Sequence, residues 1–519
     1  MGAPRLLLHK NGPPRRLLLA PIAASSIPLW IAWQLSAVLT YDDAYITLTY
    51  AKNIAQGKGF VYNGGTPYLG TTTPLLALLL GGLESIFPGI GVDTWALWVG
   101  VASWIGAIWI AFALGKQISG SLGSIFAAIA MATLPTFPHV LRAEFPLLIF
   151  LSLAGLLLTI HQRYWLAGAL FGLAYLTRGD AAILAGVTGI AVIWERKKIP
   201  WSLGFGFLSI LIPWTIYAQF TFGSPLPATL AVKRAHRALG AWPHIVVGFW
   251  QWLVRSPLAL QTRFLVSLTG TTIGAMLFYR EKNVWGMALV AWGLLYAIVY
   301  VILNVPFYGW YATTLMVALA LGASLALARI IEAKANAFSK PRKWQGHLSW
   351  SKAAWLLVAI LFIAGAWAMV IKTTRLKTWR NPKIEAYLEV ANWLRAHTQP
   401  QATVGFIEVG TIAFFSERQI IDLLGLVTPG ATTYLAVQDN AGLFKALHPE
   451  YYIRNCHFDL WGMNRRVHES DFFQQNYVPI ASFGQQGLPP VVLYRRLDVT
   501  PFDADLSAPS KQLLAGCIP

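Results

Sequence analysis

Eleven apolar runs occupy most of the first 375 residues, and they constrain the fold more than any other feature of the chain. They are Leu17 to Leu39, Trp95 to Leu114, Leu122 to Val140, Phe145 to Ile160, Tyr164 to Thr177, Ala181 to Trp194, Trp201 to Phe222, Phe264 to Tyr279, Val284 to Leu303, Gly309 to Ala328 and Ala353 to Ile371. Inside hydrocarbon such runs can satisfy their backbone N–H and C=O groups only as helices. With 56% hydrophobic residues among 519, a soluble globule is excluded and a polytopic α-helical membrane protein of about eleven spans is expected.

The net charge of +18 would suit nucleic-acid binding, but the bases gather in short loops between the runs, which is the pattern that orients membrane helices. With the N-terminus inside, Lys116, His161 to Arg163, Glu195 to Lys198, Arg280 to Lys282 and Arg329 to Lys343 all fall on the cytoplasmic side. This count requires that Thr72 to Phe87, which carries Pro74, Gly81, Gly82 and Glu84, lies on or dips into the outer surface. The first run is too long for a signal-peptide core and has no Ala-x-Ala cleavage pattern, so it is read as a retained helix. Asp42, Asp43, Glu84, Asp93, Glu144 and Asp180 then all face out, which places a site at the outer surface of a cytoplasmic-type membrane.

Beyond about Arg375 the composition becomes mixed. Lys383 to His397 has helical spacing, with Ile384, Tyr387, Leu388 and Leu394 on one face. Strand-like runs follow at Ala402 to Glu408, Tyr451 to Arg454, Val478 to Phe483 and Val491 to Tyr494. The chain thus divides into a transmembrane catalytic part, 1–374, with outer loops 40–94 and 223–263, and an extracytoplasmic α/β domain, 375–519. The only cysteines, Cys456 and Cys517, lack metal-ligand spacing, and whether they pair is open. No glycine-rich phosphate loop is present.

Asp42 and Asp43 directly follow the first run, where a carboxylate is costly to desolvate. Either residue can cap the next helix, and either can serve as a general base toward an acceptor hydroxyl. Lys233, Arg234, His236 and Arg237 concentrate positive charge in an outer loop; they could form a solvated face, meet anionic headgroups, or bind a phosphate through charge-assisted hydrogen bonds. Tyr308, Trp310 and Tyr311 have the composition of an interfacial aromatic belt, with sugar stacking as the second reading.

The stretch Asp42-Asp-Ala-Tyr45-Ile-(x)3-Tyr50-Ala-(x)2-Ile-Ala-x-Gly-x-Gly-Phe-Val-Tyr-Asn63 resembles the first outer loop of the GT-C superfamily of membrane glycosyltransferases. The similarity is to the bacterial branch of Rgt-like, aminoarabinose and terminal arabinofuranosyl transferases. Thr71-Thr-Thr-Pro74, Arg142-Ala-Glu-Phe-Pro146, Leu176-Thr-Arg-Gly-Asp180, Phe222-Gly-Ser-Pro-Leu-Pro-Ala-Thr229 and Ile420-Ile-Asp-Leu-Leu-Gly-Leu-Val-Thr-Pro429 extend it along the chain in the expected order. The surroundings of Glu144 and Arg178 depart from the common Gly-Met-Glu-Thr and Arg-Pro-Asp patterns.

The resemblance implies inverting transfer of a sugar from a polyprenyl-phosphate donor to a glycan, lipid or protein acceptor. Asp42, the first acid, is the implied base, with Asp43 as cap or support and Glu144 as assisting acid. Glu144 could instead simply pair with Arg142. Lys233, Arg234, His236, Arg237 and Arg178 are the implied phosphate ligands, with Arg142, Asp180, Tyr45, Tyr308 and Trp310 in support. No cofactor is firmly implied; a divalent metal stays open. A secondary transporter of a small anionic or sugar-like solute is the alternative, but it would place ionisable residues and broken helices at mid-membrane in repeated halves, and neither pattern is found. A membrane-anchored sensor would not need eleven spans.

Overall fold

The computed structural model describes residues 15–65, 67–238, 243–338, 350–378, 381–456, 462–485 and 488–500. The end of the basic stretch Arg329 to Lys343 lies outside them, as does Cys517. Among the described residues, five helices are long and apolar enough to cross a membrane: Val92–Ala132, Trp201–Phe222, Val284–Leu303, Gly309–Lys334 and Trp355–Thr378. Shorter apolar helices include Leu19–Leu35, Phe145–Ile160 and Tyr164–Thr177. Val92–Ala132 is not one rod: Ser119 and Gly120 leave helical geometry, with Gly120 at φ +71, a conformation that glycine adopts without a Cβ penalty. The break falls where the Lys116 turn is expected.

The outward surfaces of the helices expose large apolar side chains, among them Phe220 at 88%, Ile302 at 71% and Trp194 at 70%. Apolar surface on this scale is stable in lipid and not in water. The helices bury a continuous core through Trp104, Ile108, Phe137, Ile149, Phe171 and Trp292.

Thr72 to Phe87 forms the helix Pro74–Ile86, with Pro74 in its first turn. It packs along Asp42–Ala55 so closely that a Cβ on Gly81 would sit 2.8 Å from the Ala51 carbonyl oxygen. After Asp42–Ala55 the chain turns through Gly57 and Gly59, both at positive φ, and Asn53 Nδ2 closes the turn on the carbonyls of Val61 (2.9 Å) and Tyr62 (2.8 Å).

The C-terminal part holds the helix Pro382–His397, with Ile384, Tyr387, Val390 and Leu394 buried, against a five-stranded sheet. The strands are β1 (Thr403–Phe406), β2 (Gln419–Asp422), β3 (Tyr451–Asn455), β4 (Tyr477–Phe483) and β5 (Val491–Arg496), in the order β2-β1-β3-β5-β4. β1 pairs in parallel with β2 and β3, while β5 runs antiparallel to β3 and β4. β2 was not anticipated among the strands. It is a short edge strand, and its alternation is too brief to stand out in the sequence.

The sheet domain and the first outer loop share one core. Tyr50, Phe60, Tyr62 and Leu69 are buried together with Tyr387, Phe406 and Val427. Asn63 completes the join from the edge of the sheet: its Nδ2 donates to the Ile420 carbonyl (2.8 Å) and its Oδ1 accepts from the Ile420 N–H (2.9 Å). Tyr62 Oη donates to the Val409 carbonyl (2.9 Å), and Lys52 pairs with Glu417 (2.8 Å).

Candidate active site

The N-terminus of Asp42–Ala55 brings the two acids of the pair to different surroundings. Asp42 is 8% exposed, and its carboxylate accepts from the backbone N–H of Gly410 (3.0 Å) and Thr411 (2.7 Å). It thus caps the Gly410–Ser416 helix of the sheet domain, a role expected for a neighbouring acid and for a local helix. Asp43 is half-buried, lines a cleft, and makes no hydrogen bond or ion pair among the described residues. Burial pushes the Asp43 carboxyl up to about 6, against the pull of Lys233.

The cleft, of about 490 Å³, is lined by Tyr41, Asp43, Thr71 to Thr73, Glu144, Arg178, Lys233 and Trp310. Thr47, Thr71 and Thr73 form a triangle of hydroxyls with separations of 2.8 to 3.0 Å. A second cleft, of about 1830 Å³, adjoins it and is walled mainly by apolar side chains such as Leu69, Leu176, Ile183, Trp214, Leu226 and Val299. Thr71, Thr72, Arg178, Thr229 and Lys233 line both.

Arg178 is the hub of the junction. Its Nη1 lies 2.8 Å from Glu144 Oε1, its Nε 2.8 Å from Asp180 Oδ2, and its Nη2 donates to Tyr300 Oη at 2.9 Å. Tyr300 Oη in turn donates to Asp180 Oδ2 at 2.7 Å, a contact that sequence reading missed because Tyr300 lies within an apolar run. Lys233 Nζ donates to Tyr311 Oη (3.3 Å) and stands 4.8 Å from the centre of the Tyr308 ring. Tyr308, Trp310, Tyr41 and His139 form a continuous stack, with successive ring centres 4.8, 4.9 and 5.3 Å apart. Within this ladder the faces of Trp310 are covered by Tyr308 and Tyr41.

Other residues of the expected site lie elsewhere. Arg142 neither pairs with Glu144 nor reaches the cleft; its guanidinium donates to the carbonyls of Leu35, Ser36 and Val38, at and just beyond the end of Leu19–Leu35. Tyr45 is 1% exposed and packs on Phe414 and Phe415. His236 is 3% exposed, with Nε2 3.0 Å from the Leu424 carbonyl oxygen, so it turns to the sheet domain and not to the clefts. Arg234 lines only the apolar cleft, and the side chain of Arg237 is outside the described residues. Among the described residues no group of three His, Cys, Asp or Glu side chains is placed to hold a metal ion.

A family model described as a domain of unknown function, DUF8728, matches residues 376–500. A search of curated proteins finds no match. Among solved structures, the oligosaccharyltransferase AglB from Archaeoglobus fulgidus, in complex with an inhibitory peptide and a dolichol-phosphate, aligns over 90% of this chain and 73% of its own, with TM-score 0.60 and 14% identity. ArnT from Cupriavidus metallidurans in the apo state aligns over 95% of this chain and 99% of its own, with TM-score 0.62 and 13% identity. The same ArnT bound to undecaprenyl phosphate gives TM-score 0.58 at 12% identity, over 95% of this chain and 99% of its own. The chain therefore shares the fold of AglB and ArnT, an apolar helical bundle carrying a small C-terminal sheet domain.

Proposed function

We propose that this chain is a membrane glycosyltransferase that moves a sugar from a polyprenyl-phosphate carrier to an acceptor hydroxyl at the outer face of the cytoplasmic membrane. One observation carries the reading: a polar cleft containing an unpaired carboxylate adjoins a large apolar cleft, and two cations, Arg178 and Lys233, line both. A lipid-linked sugar has this division of chemistry, with a polar head, a phosphate and an apolar tail. Solved structures of the same fold hold dolichol-phosphate and undecaprenyl phosphate, which is the same ligand chemistry.

In this reading the prenyl tail lies along Trp214, Leu226 and Val299, and the phosphate sits at the junction by Lys233 and Arg178. Asp43 takes the proton of the acceptor hydroxyl as its oxygen attacks the anomeric carbon. The bond from that carbon to the phosphate oxygen breaks on the opposite face, which inverts the configuration. Polyprenyl phosphate leaves with the electron pair, and Lys233 and Arg178 stabilise its charge. Asp42, expected from the resemblance to be the base, serves instead to dock the sheet domain, because both its oxygens already accept amide hydrogen bonds.

The test is transfer of radiolabelled sugar from polyprenyl-phosphate donors by the purified protein in lipid. Activity in the wild type and its loss in Asp43→Asn are expected. Absence of transfer from every such donor, or full activity in Asp43→Asn, overturns the reading.

A further inference from the structure

The loop after β2 enters the cleft. Asp422 is fully buried at the end of β2, and its carboxylate accepts from three backbone N–H groups: Oδ1 from Leu424 (2.8 Å), Oδ2 from Leu426 (2.6 Å) and Val427 (3.1 Å). Gly425, at φ +78, allows the tight reversal this wrap requires. The Asp422 N–H donates to Thr428 Oγ1 (2.7 Å), which closes the loop on itself.

The outer side of this loop meets the membrane domain at two places. Leu426 lines the polar cleft, and its carbonyl oxygen packs on Gly70, where a Cβ would approach to 2.6 Å. The Leu424 carbonyl oxygen lies 3.0 Å from His236 Nε2. Burial lowers the His236 pKa to about 4, so the ring is neutral and its Nε2–H is the donor. His236 belongs to the helix Thr229–Ala238, which also carries Lys233 and Arg234. The start of that helix is pinned separately, by Thr229 Oγ1 on the Gly70 carbonyl (3.0 Å) and the Ala228 N–H on the Leu69 carbonyl (3.1 Å).

We propose that Asp422 and His236 are positioning residues for the donor phosphate: Asp422 fixes the Leu424 carbonyl, that carbonyl fixes His236, and His236 fixes the helix that holds Lys233 at the junction of the clefts. The sheet domain is then part of the donor site and not an appended module. The proposal rests on the reading of the clefts as a polyprenyl-phosphate site. Burial pushes the Asp422 carboxyl up, to about 7, while the amides of Leu424, Val427 and Leu426 hold it down, so the anchor is charged above neutral pH.

The experiment measures binding of undecaprenyl phosphate to the full-length protein in nanodiscs at pH 8, alongside sugar transfer and the thermal midpoint. His236→Ala and Asp422→Asn should each weaken binding about tenfold, the weight of one hydrogen bond. Their combination should weaken it little further, since both act through one carbonyl. His236→Gln should restore binding, because its amide can donate to the Leu424 oxygen, and a merely structural role would not give this pattern at an unchanged thermal midpoint. Asp43→Asn should bind as the wild type while failing to transfer. Wild-type binding in folded His236→Ala, no rescue by His236→Gln, or additive losses in the double variant overturns the proposal. If Asp422→Asn does not fold, the two His236 variants decide alone. A wild type that neither binds undecaprenyl phosphate nor transfers sugar removes the functional reading, and this inference with it.

Discussion

Asp42 Oδ1 lies 2.7 Å from the amide nitrogen of Thr411, a residue 369 positions further along the chain. The neighbouring Gly410 approaches Asp42 so closely that a Cβ there would stand 1.8 Å from the Asp42 carbonyl oxygen. Two features of the sequence that look independent, an acid after the first apolar run and a glycine in the C-terminal part, are thus one contact. It leaves Asp43, and not Asp42, with a carboxylate open to the cleft.

The two single Asp→Asn variants should therefore separate. Asp43→Asn should lower turnover about a hundredfold or more, the usual scale for losing a general base, without loss of folding. Its thermal midpoint near neutral pH should equal or exceed the wild type, because the buried Asp43 carboxylate is destabilising there. Asp42→Asn faces one of its two amide donors with an amide of its own and should lower stability by about 1 kcal/mol, the ordinary value of a helix cap. Activity assays with thermal melts check both; a larger catalytic loss in a fully folded Asp42→Asn would reverse the assignment.

The pH profile gives an independent test of Asp43. With its folded pKa raised to about 6 from 3.8, the base is active when deprotonated, so kcat/KM should climb through an apparent pKa near 6 and level above it. The stability linkage has the matching sign: a raised folded pKa contributes most below the unfolded pKa and is lost as pH rises toward 6. The charged groups acting on Asp43 are Lys233 and Lys383, which lower its pKa, and Asp42 and Glu408, which raise it. Lys233→Met should accordingly move the acid limb upward and raise the donor KM. A limb that stays in place in Lys233→Met assigns it to another group.

Gly410→Ala should be among the more damaging single-methyl changes in the chain. The new Cβ cannot coexist with the Asp42 carbonyl, so the Gly410–Ser416 helix must withdraw from Asp42–Ala55 and break both cap bonds. Faster limited proteolysis of the sheet domain, with the membrane helices still protected, is the expected result. Unchanged proteolysis would show that Tyr62, Asn63 and Lys52 hold the interface without the cap.

Much of the architecture was legible because lipid imposes a simple rule: backbone groups pair locally, so apolar runs read directly as helices, and even the break at Ser119 and Gly120 falls at an expected turn. The sheet domain read less fully. β2 is short and lies at the sheet edge, where Asn63, from the far end of the chain, completes its pairing. The site read as a set of residue types but not as a geometry. Nothing local distinguishes Asp42 from Asp43, or the lining Lys233 from the buried His236 three residues later; each pair is sorted by what the sheet domain presents to it, Gly410 in one case and Leu424 in the other. Arg142 and Arg178 are equivalent in sequence too, and only the ending of Leu19–Leu35 claims the first.

Arg178 supports the last prediction. Its Nη1, Nε and Nη2 meet Glu144, Asp180 and Tyr300, and its side chain is 12% exposed, so the guanidinium is largely buried and held by three partners, with one N–H of each Nη left over. A lysine ammonium cannot serve three partners in one plane, and Arg178→Lys leaves at least one buried carboxylate short of its cation, a change that costs about 3 to 5 kcal/mol when a buried pair is broken. It should lower the thermal midpoint and raise the donor KM together. Glu144→Gln keeps an acceptor for Nη1, so the fold should persist, and the junction becomes more positive, so the donor KM should hold or fall. If Glu144 also assists at the reacting centre, kcat in Glu144→Gln drops at least about tenfold at unchanged donor affinity. A normal kcat would confine Glu144 to holding Arg178, leaving Asp43 as the one carboxylate in the cleft that acts on substrate.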